Sequence, residues 1–158
     1  MKIIVDKEEM KASVTKAIGA VSIKSTVPST EGIFLKAFGN TLFIAGYDLE
    51  IGITATIPAE VLREGDVVFP AKLLLEMLIK MDGDRVSFDL DSKYMCVIEC
   101  GKSQFMVMGA SAKDYPDLPS VSIDNQFTLS QGELREMINQ TFFAIAQTEQ
   151  RPVHTGSK

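Results

Sequence analysis

The chain has 158 residues, of which 46% are hydrophobic and 23% are charged, and its formal net charge is −5 at pH 7. These values are typical of a globular domain and exclude a disordered, collagen-like or coiled-coil chain. The acidic balance also argues against binding of nucleic acid through overall positive charge. No apolar run reaches the roughly 18 residues of a membrane helix, and the start lacks the apolar core of a signal peptide, so we expect a cytoplasmic protein.

The first half of the chain predicts one strand, one helix and three further strands. A short apolar strand, Lys2–Asp6, leads into a helix over residues 7–21. Asp6 and Glu9 have the spacing of a capping pair, and apolar residues then recur at helical spacing. Gly39-Asn40 predicts the first hairpin turn. The three strands are Ile33–Phe38, Leu42–Gly46 and Ile51–Ile57.

The same pattern then restarts in the second half. A strand, Asp66–Phe69, precedes a helix that runs from Pro70 to about Met81, with the proline suited to the first turn. Three more strands follow: Arg85–Leu90, Tyr94–Ile98 and Ser103–Met108. Residues 2–108 therefore predict two β-α-β-β-β half-units, with two helices packed on antiparallel sheet in an α+β fold.

The opening pattern returns a third time after a turn-rich segment, residues 113–119. An ungapped alignment that places Phe127 on Ile3 also places Ser130 and Glu133 on the first capping pair. The apolar residues of the two helices match in this alignment as well.

This repeat predicts the domain organisation. We expect one domain over residues 1–120 and the first strand and helix of a second domain over residues 121–158. Because the sheet that should cover the second helix does not follow, we expect the chain to be a truncated piece of a longer protein.

Few residues are suited to catalysis. Cys96 and Cys100 lie four residues apart on a predicted strand, about 13 Å from each other, which is too far for a disulfide and does not suit a zinc chelate. We expect two buried free thiols. His154 is the only histidine, and no neighbour is placed to orient it. We predict no catalytic residue, no metal site and no cofactor.

Several motifs resemble those of the bacterial beta sliding clamp family, the processivity subunit of DNA polymerase III. The resemblance covers the whole chain and implies three similar domains per chain, with two chains closing a ring around duplex DNA. It also implies a non-catalytic protein whose partners are DNA, a second copy, the replicative polymerase and the clamp loader. The matching motifs are Lys24-Ser-Thr-Val-Pro28, Leu42-Phe-Ile-Ala-Gly-Tyr-Asp-Leu-Glu50, Phe69-Pro-Ala-Lys-Leu-Leu74, Gly101-Lys-Ser-Gln-Phe105, Asp114-Tyr-Pro-Asp-Leu118 and Gln150-Arg-Pro-Val-His-Thr-Gly156.

The resemblance further implies that the helices line the pore, so the basic residues on their polar faces become candidates for contacts with phosphates. Lys72, Glu76 and Lys80 form one stripe of the second helix. The loop after the first helix and its counterpart after the third are also expected to contact DNA. The candidates are Lys24, Lys72, Thr148, Arg151, Lys16 and Lys80.

The resemblance also implies a dimer interface near the last strand of the first domain, with an ordinary core role as the alternative for the same residues. The interface candidates are Phe105, Val107, Leu73 and Met77. Two other classes of protein stay open at this point. One is an α+β scaffold that binds proteins and not DNA. The other is an enzyme whose site is completed by residues outside this sequence.

Overall fold

A computed structural model describes residues 1–21, 28–119, 127–146 and 156. The chain divides into two compact units, Met1–Pro119 and Ser120–Lys158. In the described part of the first unit, nine strands and two α-helices surround one main hydrophobic core. The described part of the second unit contains one α-helix.

The strands are β1 (Lys2–Asp6), β2 (Gly32–Phe38), β3 (Thr41–Tyr47), β4 (Gly52–Pro58), β5 (Glu60–Arg63), β6 (Gly65–Pro70), β7 (Arg85–Leu90), β8 (Met95–Cys100) and β9 (Ser103–Met108). The α-helices are α1 (Lys7–Ala17), α2 (Ala71–Lys80) and α3 (Gln131–Phe142). Short 3₁₀ turns cover Ile18–Ala20, Pro28–Glu31 and Ala112–Asp114.

The strands form two antiparallel sheets, with the orders β5-β1-β7-β8-β9 and β4-β3-β2-β6. Each half-unit gives its first strand to the sheet of the other half. β1 pairs with β7, where Ile3 lies opposite Phe88, and β6 pairs with β2, where Phe69 lies opposite Ile33. The predicted α+β fold of two repeated half-units is confirmed, and the exchange of first strands is what the structure adds.

The predicted elements differ from the observed ones at a few ends. The first helix ends at Ala17 and continues as a 3₁₀ turn, although the apolar spacing predicts helix to residue 21. Pro70 caps α2 and is not its first residue. The sequence pattern does not predict strand β5, because β5 is only four residues long, is half polar and mostly exposed, and forms by pairing with the distant β1.

The core is built from one stripe of each helix and the inward faces of both sheets. Met10 and Val14 of α1 and Leu74 and Leu78 of α2 are completely buried, as the helical spacing predicts. The largest buried rings, Phe69 and Phe88, approach to 6.3 Å between centroids and join β6 to β7 inside the core. Burial of each such side chain contributes about 1.5–3 kcal/mol.

A smaller cluster fastens residues 109–118 to the outer face of the four-stranded sheet. The ring of Tyr115 stacks on Phe34 with centroids 5.1 Å apart, and its hydroxyl donates a hydrogen bond to the Ala45 carbonyl at 3.3 Å. Val68 and Ala110 exchange two backbone hydrogen bonds beside it. Burial raises the pKa of Tyr115 to about 12, so the phenol stays protonated above the pH at which an exposed tyrosine ionises.

Helix α3 begins with the predicted capping box. The Ser130 hydroxyl accepts from the Glu133 amide, and the Glu133 carboxylate accepts from the Ser130 amide, both at 3.2 Å. Residues 127–130, where the repeat predicts a strand, form none in the described part of the chain. The strand and the assignment of residues 121–158 to a second clamp domain therefore stay predictions.

Gly46 is required where β3 passes the last turn of α1. A Cβ atom at this position would collide with the Ala17 carbonyl, a backbone group that cannot move without shifting α1. We expect Gly46→Ala to lower the free energy of unfolding by at least about 3 kcal/mol.

Gly39→Ala is the matched control in urea unfolding. Gly39 has φ +56° in the first hairpin turn, and a Cβ atom there meets open space. Only the backbone strain remains, which costs about 1–2 kcal/mol. A smaller destabilisation by Gly46→Ala than by Gly39→Ala would contradict the described contact between β3 and α1.

Candidate nucleic-acid interface

Helices α1 and α2 lie in contact with each other and bury one face each in the core. Their opposite faces are exposed. The exposed residues of α2 are Lys72, Leu73, Glu76, Ile79 and Lys80. The exposed residues of α1 are Glu8, Glu9, Ala12, Thr15 and Lys16. The predicted candidates Lys16, Lys72 and Lys80 therefore all reach solvent from these two helices.

Lys72, Glu76 and Lys80 stand on successive turns of α2. At about 1.5 Å per residue, the two lysines are separated by about 12 Å along the helix axis, with the glutamate midway. None of the three makes an ion pair with another residue of the described chain. Their charges are thus available to a partner from outside.

The start of α2 adds positive potential near Lys72. Pro70 is the N-cap and provides no side-chain hydrogen bond, and the first turn contains no acidic residue. The unsatisfied amides of a helix start carry a partial positive charge, which adds to the charge of Lys72. This combination favours anions such as phosphate.

Lys16 and Lys80 have an additional structural role. Each lies in the last turn of its helix, where a cation stabilises the negative end of the helix dipole. Both lysines are exposed enough to contact phosphate, but the interaction with the helix dipole already explains their positions. Lys72 has no such explanation, because it stands at the opposite end.

Several other basic residues are already neutralised by carboxylates. Lys2 and Arg63 both bind Asp89 at 2.9 Å, and Arg85 binds Glu60 at 2.9 Å. The hydrogen bond from Lys2, with Arg63 beside it, lowers the pKa of Asp89. These pairs lie on the five-stranded sheet, so its outer face offers little free positive charge for a nucleic acid.

Three of the DNA-binding candidates, Lys24, Thr148 and Arg151, lie outside the described residues. The predicted roles of these three residues stay predictions.

The interface candidates occupy different depths. Leu73 is 44% exposed on α2, whereas Met77 and Val107 are each only 5% exposed and belong to the core. Phe105 is half-buried and packs against that core. In this chain Met77 and Val107 therefore offer little surface to a partner, and their predicted interface role stays a prediction.

Two exposed methionines on β9 are not singled out by the sequence pattern. Met106 and Met108 are 75% and 56% exposed and lie opposite Val97 and Met95 of β8. They alternate along β9 with Phe105 and Val107. The period of the strand places the methionines on one face and the other pair on the opposite face, but it does not determine which face lies against the core. β9 is an edge of the five-stranded sheet, and its residues Ser103–Met108 carry no charge.

The two cysteines are buried and unpaired. Burial raises the pKa of Cys96 to about 12 and also raises that of Cys100. No group of three or more metal-binding side chains occurs among the described residues. None of the helices described in this chain is long and apolar enough to cross a membrane.

Comparison with known proteins identifies the family. Residues 1–119 match the family model for the N-terminal domain of the DNA polymerase III beta subunit. The chain belongs to this family. It is 34% identical over 145 residues to the beta sliding clamp of Staphylococcus epidermidis, covering 87% of this chain and 38% of that protein. It is 29% identical over 164 residues to the beta sliding clamp of Bacillus subtilis, covering 99% of this chain and 43% of that protein.

Solved structures of the family have the same fold. The crystal structure of the Bacillus subtilis DNA polymerase sliding clamp matches with a TM-score of 0.92 at 28% identity, over 97% of this chain and 42% of that one. A putative DNA polymerase III beta subunit from Eubacterium rectale matches with a TM-score of 0.94 at 30% identity, over 99% of this chain and 43% of that one. The chain thus spans less than half the length of these relatives.

The buried thiols give a prediction for the folded protein. At pH 8 we expect neither Cys96 nor Cys100 to react with a thiol reagent, because the thiolate is the reactive form and burial keeps both thiols protonated. In denaturant both should react promptly. Rapid labelling of the native protein would contradict this assignment.

The buried thiols also predict a pH dependence of stability. The free energy of unfolding should fall as the pH rises above about 8.5, because thiols of the unfolded chain ionise there and those of the folded chain do not.

Proposed function

We propose that this chain provides the first domain, and the start of the second, of a DNA sliding clamp that encircles duplex DNA and keeps the replicative polymerase on its template. The observation that carries the proposal is the family match over residues 1–119, together with the likeness to whole sliding clamps. Within this proposal α1 and α2 face the DNA and the two sheets face outward.

The charge distribution supports a sliding role. A protein that neutralises many phosphates binds tightly, because each contact releases counterions. This chain is acidic overall and exposes only a few unpaired lysines on α1 and α2. Such a surface suits a ring whose residence on DNA comes from closure around the duplex.

The partners follow from the same proposal. They are double-stranded DNA, a second copy that completes the ring, the replicative polymerase and the clamp loader. The clamp acts as a processivity subunit and takes no part in bond making. Lys24, Thr148 and Arg151 add contacts with DNA from the loops that follow the first and third helices.

We further propose that β9 forms the dimer contact of the first domain. An edge strand presents unpaired backbone groups, and natural proteins usually protect such edges with charges or proline. β9 has neither in Ser103–Met108, and its exposed methionines add apolar surface. Leu73 on α2 supplies a further exposed apolar contact.

A chimera tests the clamp proposal. Residues 1–119 of this chain replace the matching segment of the Bacillus subtilis clamp, which is then loaded on nicked circular DNA with its loader and ATP. We expect the chimera to remain on the circle and to run off once the circle is cut. Release on cutting identifies topological linkage. Retention after cutting, or no loading of a chimera that still dimerises, would favour the scaffold alternative.

The lysines of α2 are tested in the same chimera. We expect Lys72→Ala combined with Lys80→Ala to shorten the time that the chimera stays on DNA. The slope of the logarithm of the binding constant against the logarithm of the salt concentration should become shallower by about one for each phosphate that is no longer neutralised. Lys36→Ala is the control, because Lys36 is exposed and without an ion pair in the described chain but lies on the outer face of β2. Equal effects of both changes would contradict the proposed orientation.

The dimer contact is tested by charge placed on α2. We expect Leu73→Asp to weaken dimerisation of the chimera about tenfold or more, because a carboxylate would be desolvated in an apolar contact. Ile79→Asp is the matched control, since Ile79 is 63% exposed on the same helix. Sedimentation measures both dimers. If Ile79→Asp disrupts the dimer and Leu73→Asp does not, the proposed contribution of Leu73 to the dimer contact is wrong.

A further inference from the structure

We propose that Glu76 limits the affinity of α2 for double-stranded DNA. This inference rests on the proposed function. It concerns a residue of the same charge sign as the DNA phosphates, placed in the centre of the surface that would bind them.

Glu76 lies in the middle of the exposed lysine stripe of α2. It stands four residues after Lys72 and four before Lys80, which places all three on one exposed face of the helix. An approaching duplex that reaches both lysines therefore passes directly over the glutamate. A surface built only for affinity would carry a neutral or basic residue here.

Glu76 has no internal role that would explain its negative charge. Among the described residues Glu76 makes no ion pair and no side-chain hydrogen bond. Glu8, by contrast, holds Lys11 in a salt bridge on α1, and Glu60 holds Arg85 across the sheet. Glu76 also lies outside the first turn of α2, where acidic residues stabilise a helix start.

The effect follows from distances on the helix. Glu76 is about 6 Å along the axis from each lysine, which is less than the Debye length of about 8 Å at physiological salt. Its charge therefore repels phosphates bound at either lysine and lowers the local positive potential. Fewer counterions are released on binding, so both the affinity and its salt dependence are reduced.

The experiment uses the 158-residue chain itself. Amide NMR spectra are recorded during titration with a short DNA duplex at low salt and at several salt concentrations. For Glu76→Gln we expect about threefold tighter binding and a steeper salt dependence. Glu76→Asp keeps the charge and should bind like the parent chain. Unchanged or weaker binding by Glu76→Gln would overturn the inference.

Two comparisons separate the inference from the function on which it rests. Glu50→Gln removes an equal charge from the turn between β3 and β4, where Glu50 is exposed, and should leave the affinity within about twofold of the parent value. If Lys72→Ala weakens binding but Glu76→Gln does not strengthen it, only the inference fails. If the duplex shifts no amide resonance of α2 in any variant, both the proposed DNA surface and the inference about Glu76 are wrong.

Thermal unfolding excludes a structural explanation. If Glu76 only supported the helix through its lysine neighbours, Glu76→Gln would lower the midpoint of unfolding and leave DNA binding unchanged. We expect the reverse pattern, with a similar midpoint and tighter binding.

Discussion

Helices α1 and α2 lie in contact, and Lys7, the first residue of α1, donates hydrogen bonds to the segment that follows α2. The Lys7 amide donates to the Asp84 carbonyl at 2.8 Å, and the Lys7 ammonium donates to the Met81 carbonyl at 3.4 Å. At the other end of α1, Gly46 lets β3 pass close to Ala17. Helix α1 is thus fixed at both ends. The buried stripes of the two helices then determine which lysines reach solvent, and the proposed DNA surface depends on that geometry.

The charges on this surface are few and of both signs. Most cations of the five-stranded sheet are held by carboxylates, whereas Lys72 and Lys80 are exposed without an ion pair in the described chain. Between them stands Glu76. In the proposed ring, closure around the duplex supplies the residence time, so tight binding by the helices is not needed. A weak surface with opposing charges agrees with that physical requirement.

The sequence predicted those features that depend on local periodicity. The helix over Ala71–Lys80 and the strand Arg85–Leu90 follow from the spacing of apolar residues, and so does the exposure of Lys72. Features that depend on pairing between distant segments were not predictable. β5 exists because it pairs with β1, and the two halves exchange first strands without any local signal. The inward direction of Val107 likewise depends on what covers β9.

The pairing of β1 with β7 also bears on how the protein is made. Ile3 lies opposite Phe88 of β7 on one side and opposite Val61 of β5 on the other, so β1 can pair with β5 earlier but with β7 only when most of the domain has left the ribosome. At about 5–20 residues per second, roughly 4–17 s separate the synthesis of the two strands. During this interval the four-stranded sheet can already be complete, whereas the five-stranded sheet still lacks β7, β8 and β9. The two sheets are thus completed at different times, and until β7 appears one side of β1 presents unpaired backbone groups.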